Sequence, residues 1–146
     1  MVDQIRFQID NSKTNCWLIP AITSAFADWG HILRKPVAVP PRSSIPENGG
    51  VVKASSAPFI GAAMIVVYLI KTSTPSPIYV CLLGSDPDLS ARSNWAYVYI
   101  TTDMNEAKAD QDLYNKVYFA ERTSASVKVD GGIFQMRASS VVPQIN

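Results

Sequence analysis

One run of the chain limits the fold more than any other. The stretch APFIGAAMIVVYLIK, residues Ala57 to Lys71, carries no charge before its closing lysine. Its apolar part reaches only from Pro58 to Ile70, short of the roughly 18 to 20 apolar residues that a membrane-crossing helix needs. As a strand it sends Ala62, Met64, Val66, Tyr68 and Ile70 to one side and Ala63, Ile65, Val67 and Leu69 to the other. A half-exposed strand would alternate apolar with polar residues. The run therefore predicts a central strand whose one face the core accounts for and whose second face needs a cover: a loop such as the Pro-rich segment Arg34 to Gly50, another subunit or a bound apolar ligand.

The rest of the 146-residue chain is punctuated in the same way. IRFQI, PIYVCLL, WAYVYITT, KVYFAE, SVKV and IFQMRAS are rich in β-branched and aromatic residues, each bounded by Pro, Gly, Asn, Asp or Ser. Ser126 to Asp130, then Gly131-Gly132, then Ile133 to Ala138 reads as a hairpin whose glycines supply positive φ. In WAYVYITT, Trp95, Tyr97 and Tyr99 share one face and Ala96, Val98 and Ile100 the other. The small aliphatic face is expected to point inward, leaving the aromatics outward or at an edge. RKPVAVPPRSSIPENGG, with four prolines, is expected to be an extended connection ending in a turn. Helical turns are expected only in AITSAFADW and TDMNEAKADQDLY. The fold expected is all-β: a single-domain antiparallel β-sandwich over residues 1–146 with one or two short helical turns.

Thirteen basic and twelve acidic residues leave a formal charge of +1, which argues against a nucleic-acid partner, because phosphate binding needs a concentrated basic patch. His31 is the single histidine, and no nucleophile-elbow or phosphate-binding glycine motif accompanies it, so no catalytic residue and no enzymatic activity are expected. Asp86 and Asp88 in GSDPDLS match no calcium-loop pattern; no metal and no cofactor are expected. Cys16 and Cys81 lie too far apart in sequence for a metal motif and read as buried thiols. MVDQIRFQID has charges where a secretory signal would have an apolar core, so cytoplasmic synthesis without a signal peptide is expected, followed by release or attachment at a membrane surface.

Aromatic side chains offer the clearest binding chemistry, since an amphipathic ring stacks on sugars, sits at lipid headgroups and anchors protein partners. Trp29 in ADWGH and Trp95 in ARSNWAY lie beside loop signals, with Tyr97 and Tyr99 following. Together with Asp86 and Asp88 as hydrogen-bonding carboxylates, these six are the candidate ligand-binding residues for a lipid or a sugar.

The order IRFQIDN, DWGHI, VPPRSSIPENG, GAAMIVVYLI and NWAYVYI, covering about the first two thirds of the chain, resembles the aegerolysin-like and crystal-protein-like β-sandwich families. In those, a strand ending in an Asn-containing bend precedes a Trp-Gly, a Pro-rich loop, a strand opening with Gly and an aromatic strand. The resemblance implies a non-enzymatic protein that attaches to membrane lipids or lipid-linked glycoconjugates, cytolytic or defensive in role and acting with a partner. It implies a ligand-facing rim at Trp29, with Trp95 and Tyr97 near it. Two alternatives stand beside it: a lectin-like carbohydrate-binding module, and an accessory subunit that docks on a larger protein or forms a homodimer through an apolar strand face.

Overall fold

The computed structural model describes residues 4–21, 24–45, 47–55, 61–87, 95–110, 113 and 124–137. Ten strands run through them: β1 (Gln4–Gln8), β2 (Trp17–Pro20), β3 (Phe26–Trp29), β4 (His31–Arg34), β5 (Val51–Ser55), β6 (Gly61–Lys71), β7 (Ile78–Pro87), β8 (Trp95–Thr101), β9 (Ser124–Val129) and β10 (Gly132–Arg137). They form a three-stranded sheet ordered β1-β5-β4, a hairpin β10-β9, and a five-stranded sheet ordered β2-β6-β7-β8 with β3 also paired to β6. Every pairing is antiparallel, and the sheets pack together as an all-β, sandwich-like unit.

The apolar run becomes β6, the longest strand, and it is central as its two apolar faces require. Ala62, Met64, Val66, Tyr68 and Ile70 enter a core with Ile5 and Phe7 of β1, Val52 and Ala54 of β5, Val80 and Leu82 of β7, and Phe134 and Met136 of β10. Ala63, Ile65 and Val67 enter a second core with Tyr79, Cys81, Leu83 and Tyr99. Burying a large apolar side chain contributes about 1.5 to 3 kcal/mol, so both faces of β6 help hold the fold.

Among the described residues, Ala107, Ala109 and Leu113 cover that second face. The Pro-rich connection lies on the other side, where its Val39 joins the first core and bridges to Leu18. The cover is thus a loop, as one of the expected alternatives had it, but a different loop from the Pro-rich segment.

AITSAFADW does not make helical turns in its described part. Phe26 to Trp29 pairs instead with Ala63 to Ile65 of β6, since a weak helix propensity yields to a long, unfilled strand edge. Gly30, at a φ of 81°, turns the chain from the five-stranded sheet into β4 of the three-stranded one, which places His31, exposed, at the start of a strand and not in a loop. The described part of TDMNEAKADQDLY, residues 102–110 and 113, is mostly a polar loop with a turn in which the Ala107 amide donates to the Asp103 carbonyl at 3.1 Å. The hairpin is shifted by one residue from its expected place: Val129 pairs with Gly132, so Asp130-Gly131 forms the turn and Gly131 carries the positive φ of 72°. KVYFAE lies outside the described residues. Cys16 and Cys81 are both buried free thiols, and no helix among the described residues is long and apolar enough to cross a membrane.

Candidate functional site

The bend after β1 is built around one side chain. Asn11 is almost fully buried, and its amide group donates to the carbonyls of Cys16 and Pro40, each at 2.8 Å. Its Oδ1 accepts from the Thr14 hydroxyl at 2.6 Å, and that hydroxyl in turn accepts from the Cys16 amide at 3.1 Å. Asn48 repeats the device: its amide group donates to the Ile9 carbonyl at 2.9 Å while its Oδ1 accepts from the Gly50 amide at 2.7 Å. Short polar side chains satisfy turn backbone in this way where no ladder can. Residues 8–14 are thereby held as a rigid wall.

The tip of the β9–β10 hairpin is fastened to that wall. The Ile133 amide donates to the Lys13 carbonyl at 3.2 Å, and a side chain on Gly132 would overlap that same carbonyl. Arg42 bridges the two parts, donating from Nε to Asn15 Oδ1 at 2.8 Å and from Nη2 to the Gly131 carbonyl at 3.3 Å. Asp130 accepts from the Ser73 hydroxyl at 2.9 Å. Burial, and then the Asp130 carboxylate, raise the pKa of the nearby Cys16 thiol.

Between the wall and the hairpin lies a groove of about 860 Å³, within the usual range of small-ligand sites. Its base is apolar: Ile9, Leu82, Phe134 and Met136. Its sides are polar, with Gln8, Asp10 and Lys13 on one and Ser126, Gln135 and Arg137 on the other. Ser126 is paired with Gln135, and Ser124 with Arg137, across the exposed face of the hairpin. Two amides, two cations, a carboxylate and hydroxyls above an apolar base can hold a polar group carrying both hydroxyls and an anionic oxygen.

The residues singled out from sequence lie elsewhere. The strand register puts residues 29, 63, 85 and 95 in one row across the five-stranded sheet, so the backbones of Trp29 and Trp95, distant in sequence, meet on one sheet. The side chains of Trp29, Trp95 and Asp86, and the whole of Asp88, lie outside the described residues. Tyr97 is half-buried and stands edge-on to Tyr99 with ring centroids 5.6 Å apart. β8 is an edge strand of its sheet, with Ala96, Val98 and Ile100 turned to the first core as expected.

Tyr99 does not fit the role proposed for it. It is only 7% exposed, packs in the second core and donates its hydroxyl to the Glu106 carbonyl. The expected outward row of aromatics is corrected at this residue, because Ala107, Ala109 and Leu113 pack in the same core. Burial, with Cys81 beside it, raises the Tyr99 pKa. Burial pushes the Cys81 thiol up to about 12, partly offset by a hydrogen bond with Tyr99.

Sequence reasoning passed over the groove. The Asn-containing bend and the glycine hairpin were both legible, but nothing local shows that they meet. The Asp-Asn and Gly-Gly pairs were the available signals, each marking a tight turn beside exposed polar strand residues. No family model matches the chain, and no curated protein or solved structure matches it.

Proposed function

We propose that this is a non-enzymatic binding protein that attaches to membrane lipids or lipid-linked glycoconjugates, taking the polar headgroup into the groove between residues 8–14 and the β9–β10 hairpin. The observation that carries this reading is the groove's mixed lining. Gln8 and Gln135 both donate and accept, as sugar or polyol hydroxyls require, while Lys13 and Arg137 offer charge-assisted bonds to a phosphate or sulfate oxygen. The ends of the chemistry suit a headgroup better than an acyl chain, which would leave these polar groups unsatisfied. The resemblance to aegerolysin-like proteins points the same way and adds a cytolytic or defensive role with a partner.

A lectin-like reading uses the same side chains and is favoured by the Ser126–Gln135 pair, which needs no charge on its ligand. The accessory-subunit reading loses its motive among the described residues, since the chain's own Ala107, Ala109 and Leu113 cover the second apolar face of β6.

The test is flotation with vesicles carrying sphingolipids, phosphoinositides or sterols, beside a glycan array, with the Gln135→Ala/Arg137→Ala variant run in parallel. Salt is held at about 1 M, where the Debye length falls to about 3 Å and diffuse charge attraction is screened. Selective retention of one headgroup, lost in the variant, supports the reading. Equal indifference to every lipid and glycan in both proteins overturns it. Glycan binding with no dependence on a lipid carrier favours the lectin-like module.

A further inference from the structure

The groove is bordered on both sides by main chain that the fold leaves open. Along an antiparallel strand, one residue turns both its N–H and its C=O to one neighbour, and the next residue turns both to the other side. β10 has a single strand partner, β9, and its Ile133 amide points away from that partner, donating to the Lys13 carbonyl. Gln135 and Arg137, at alternate positions from Ile133, therefore turn their main-chain groups the same way, toward the groove they line.

The facing wall has the same property. The Ile9 amide donates to the Gly50 carbonyl at 2.6 Å, and Asn11 exchanges both of its main-chain bonds with Ser43. By the same alternation the N–H and C=O of Gln8 and Asp10 face away from β5, on the side of the groove that both residues line. Gln8, Asp10, Gln135 and Arg137 are all exposed. Among the described residues, the Ile133–Lys13 bond is the one main-chain bond that joins the two sides.

Two open edges that face one another match a trans secondary amide. Its N–H and C=O point in opposite directions, so an amide lying between the edges donates to one and accepts from the other. Beneath it the apolar base is exposed only from 2% at Phe134 to 7% at Met136, an opening that suits a methyl group. An extended peptide would also meet both edges, but it must seat a row of alternate side chains on that base, and so small an opening holds no such row. The rim adds the Ser126 hydroxyl for polyol oxygens and the Lys13 and Arg137 cations for an anionic oxygen.

We infer that the groove's ligand is an N-acetylated sugar that also carries an anionic group. The acetamido N–H and C=O bridge the main chains of β10 and of the 8–14 wall, the acetyl methyl rests on the apolar base, and the anionic group meets Arg137 or Lys13. The inference rests on the reading of the groove as a headgroup site, and it narrows that headgroup to the glycoconjugate kind.

The experiment is calorimetric titration of the full chain with two pairs of sugars. One pair is N-acetylneuraminic acid and its analogue with a hydroxyl in place of the acetamido group; the other is sulfated N-acetylglucosamine and sulfated glucose. Two hydrogen bonds lost with the acetamido group correspond to about tenfold weaker binding, so at least one pair is expected to show that preference. Amide hydrogen exchange of wild type with the preferred sugar is expected to slow at Gln135 and Arg137 and to stay unchanged at Phe134 and Met136, whose amides face β9. Gln135→Pro removes an N–H that β9 does not use and is expected to lose the acetamido preference, while Gln135→Ala keeps the N–H and the preference. Should the proline variant fail to fold, the exchange measurement decides on wild type alone.

Equal binding within both pairs, or no slowing at Gln135 and Arg137, overturns the inference. So does tighter binding of an acetyl-capped extended peptide than of any of the sugars. Equal binding within a pair that is lost in Gln135→Ala/Arg137→Ala overturns the inference and leaves the groove as a headgroup site. Absence of binding to all four sugars, with headgroup selectivity intact in flotation, does the same.

Discussion

Asn11→Asp keeps the shape of the side chain that braces the groove wall and changes one group, replacing an amide NH₂ by a carboxylate oxygen. At that position two donors are lost, to the Cys16 and Pro40 carbonyls, both at 2.8 Å, and a charge is placed against those carbonyl oxygens at 1% exposure. The bond from Thr14 to Oδ1 survives. A net hydrogen bond is worth about 0.5 to 1.5 kcal/mol and an unsatisfied buried group costs about 1 to 3, so a loss of about 2 to 4 kcal/mol is expected at neutral pH.

The penalty is also pH-dependent with a definite sign. Burial beside carbonyls raises the new carboxyl's folded pKa above its unfolded value of about 3.9, so the folded state binds the proton more tightly. The charge part of the penalty is absent below about pH 4, grows as pH rises through that value, and levels off above the folded pKa. Urea unfolding of both proteins between acidic and neutral pH measures it, with Asn11→Ala as the chargeless comparison. A variant within about 0.5 kcal/mol of wild type at neutral pH, or a penalty that does not shrink on acidification, refutes the account of how this bend is held.

Gly132→Ala should loosen the hairpin from the wall, because its Cβ meets the Lys13 carbonyl; faster amide hydrogen exchange at Ile133 is the readout. Leu113→Ala should cost about 2 to 4 kcal/mol and raise the exposure of Tyr99, visible as a change in tyrosine fluorescence alongside a lowered melting temperature. Lys53→Gln should be neutral to stabilising by about 0.2 to 1 kcal/mol, since it removes the middle charge of the Arg6–Lys53–Arg34 row. Burial pushes the Cys81 thiol from its ordinary value of 9.0 up to about 12, so its contribution is full below about pH 9 and is lost by about pH 12. Native protein should resist a thiol reagent at Cys81 in neutral solution and react only on unfolding.

Several elements were legible without the structure because the information is local. GAAMIVVYLI had to be a central strand, since no other placement hides two apolar faces in so short a run, and the Asp130-Gly131-Gly132 sequence had to reverse the chain. The strands that escaped notice lack such marks. VVKAS, which becomes β5 at the middle of a sheet, has two adjacent valines and a lysine in place of a clean alternation, and β3 lies in AITSAFADW, whose alanines read as weakly helical. Both are strands because a neighbour offers an open edge.

What the sequence determined by itself is the class of fold and the strand at its centre, because period-two patterning and turn residues act over a few neighbouring positions. The candidate site was decided only by tertiary structure. The groove joins residues 8–14 to residues 124–137, and the cover over β6 comes from Ala107, Ala109 and Leu113. Each depends on strand register and sheet order, which are set by which edges meet and which faces can be buried together, and those are properties of the whole chain.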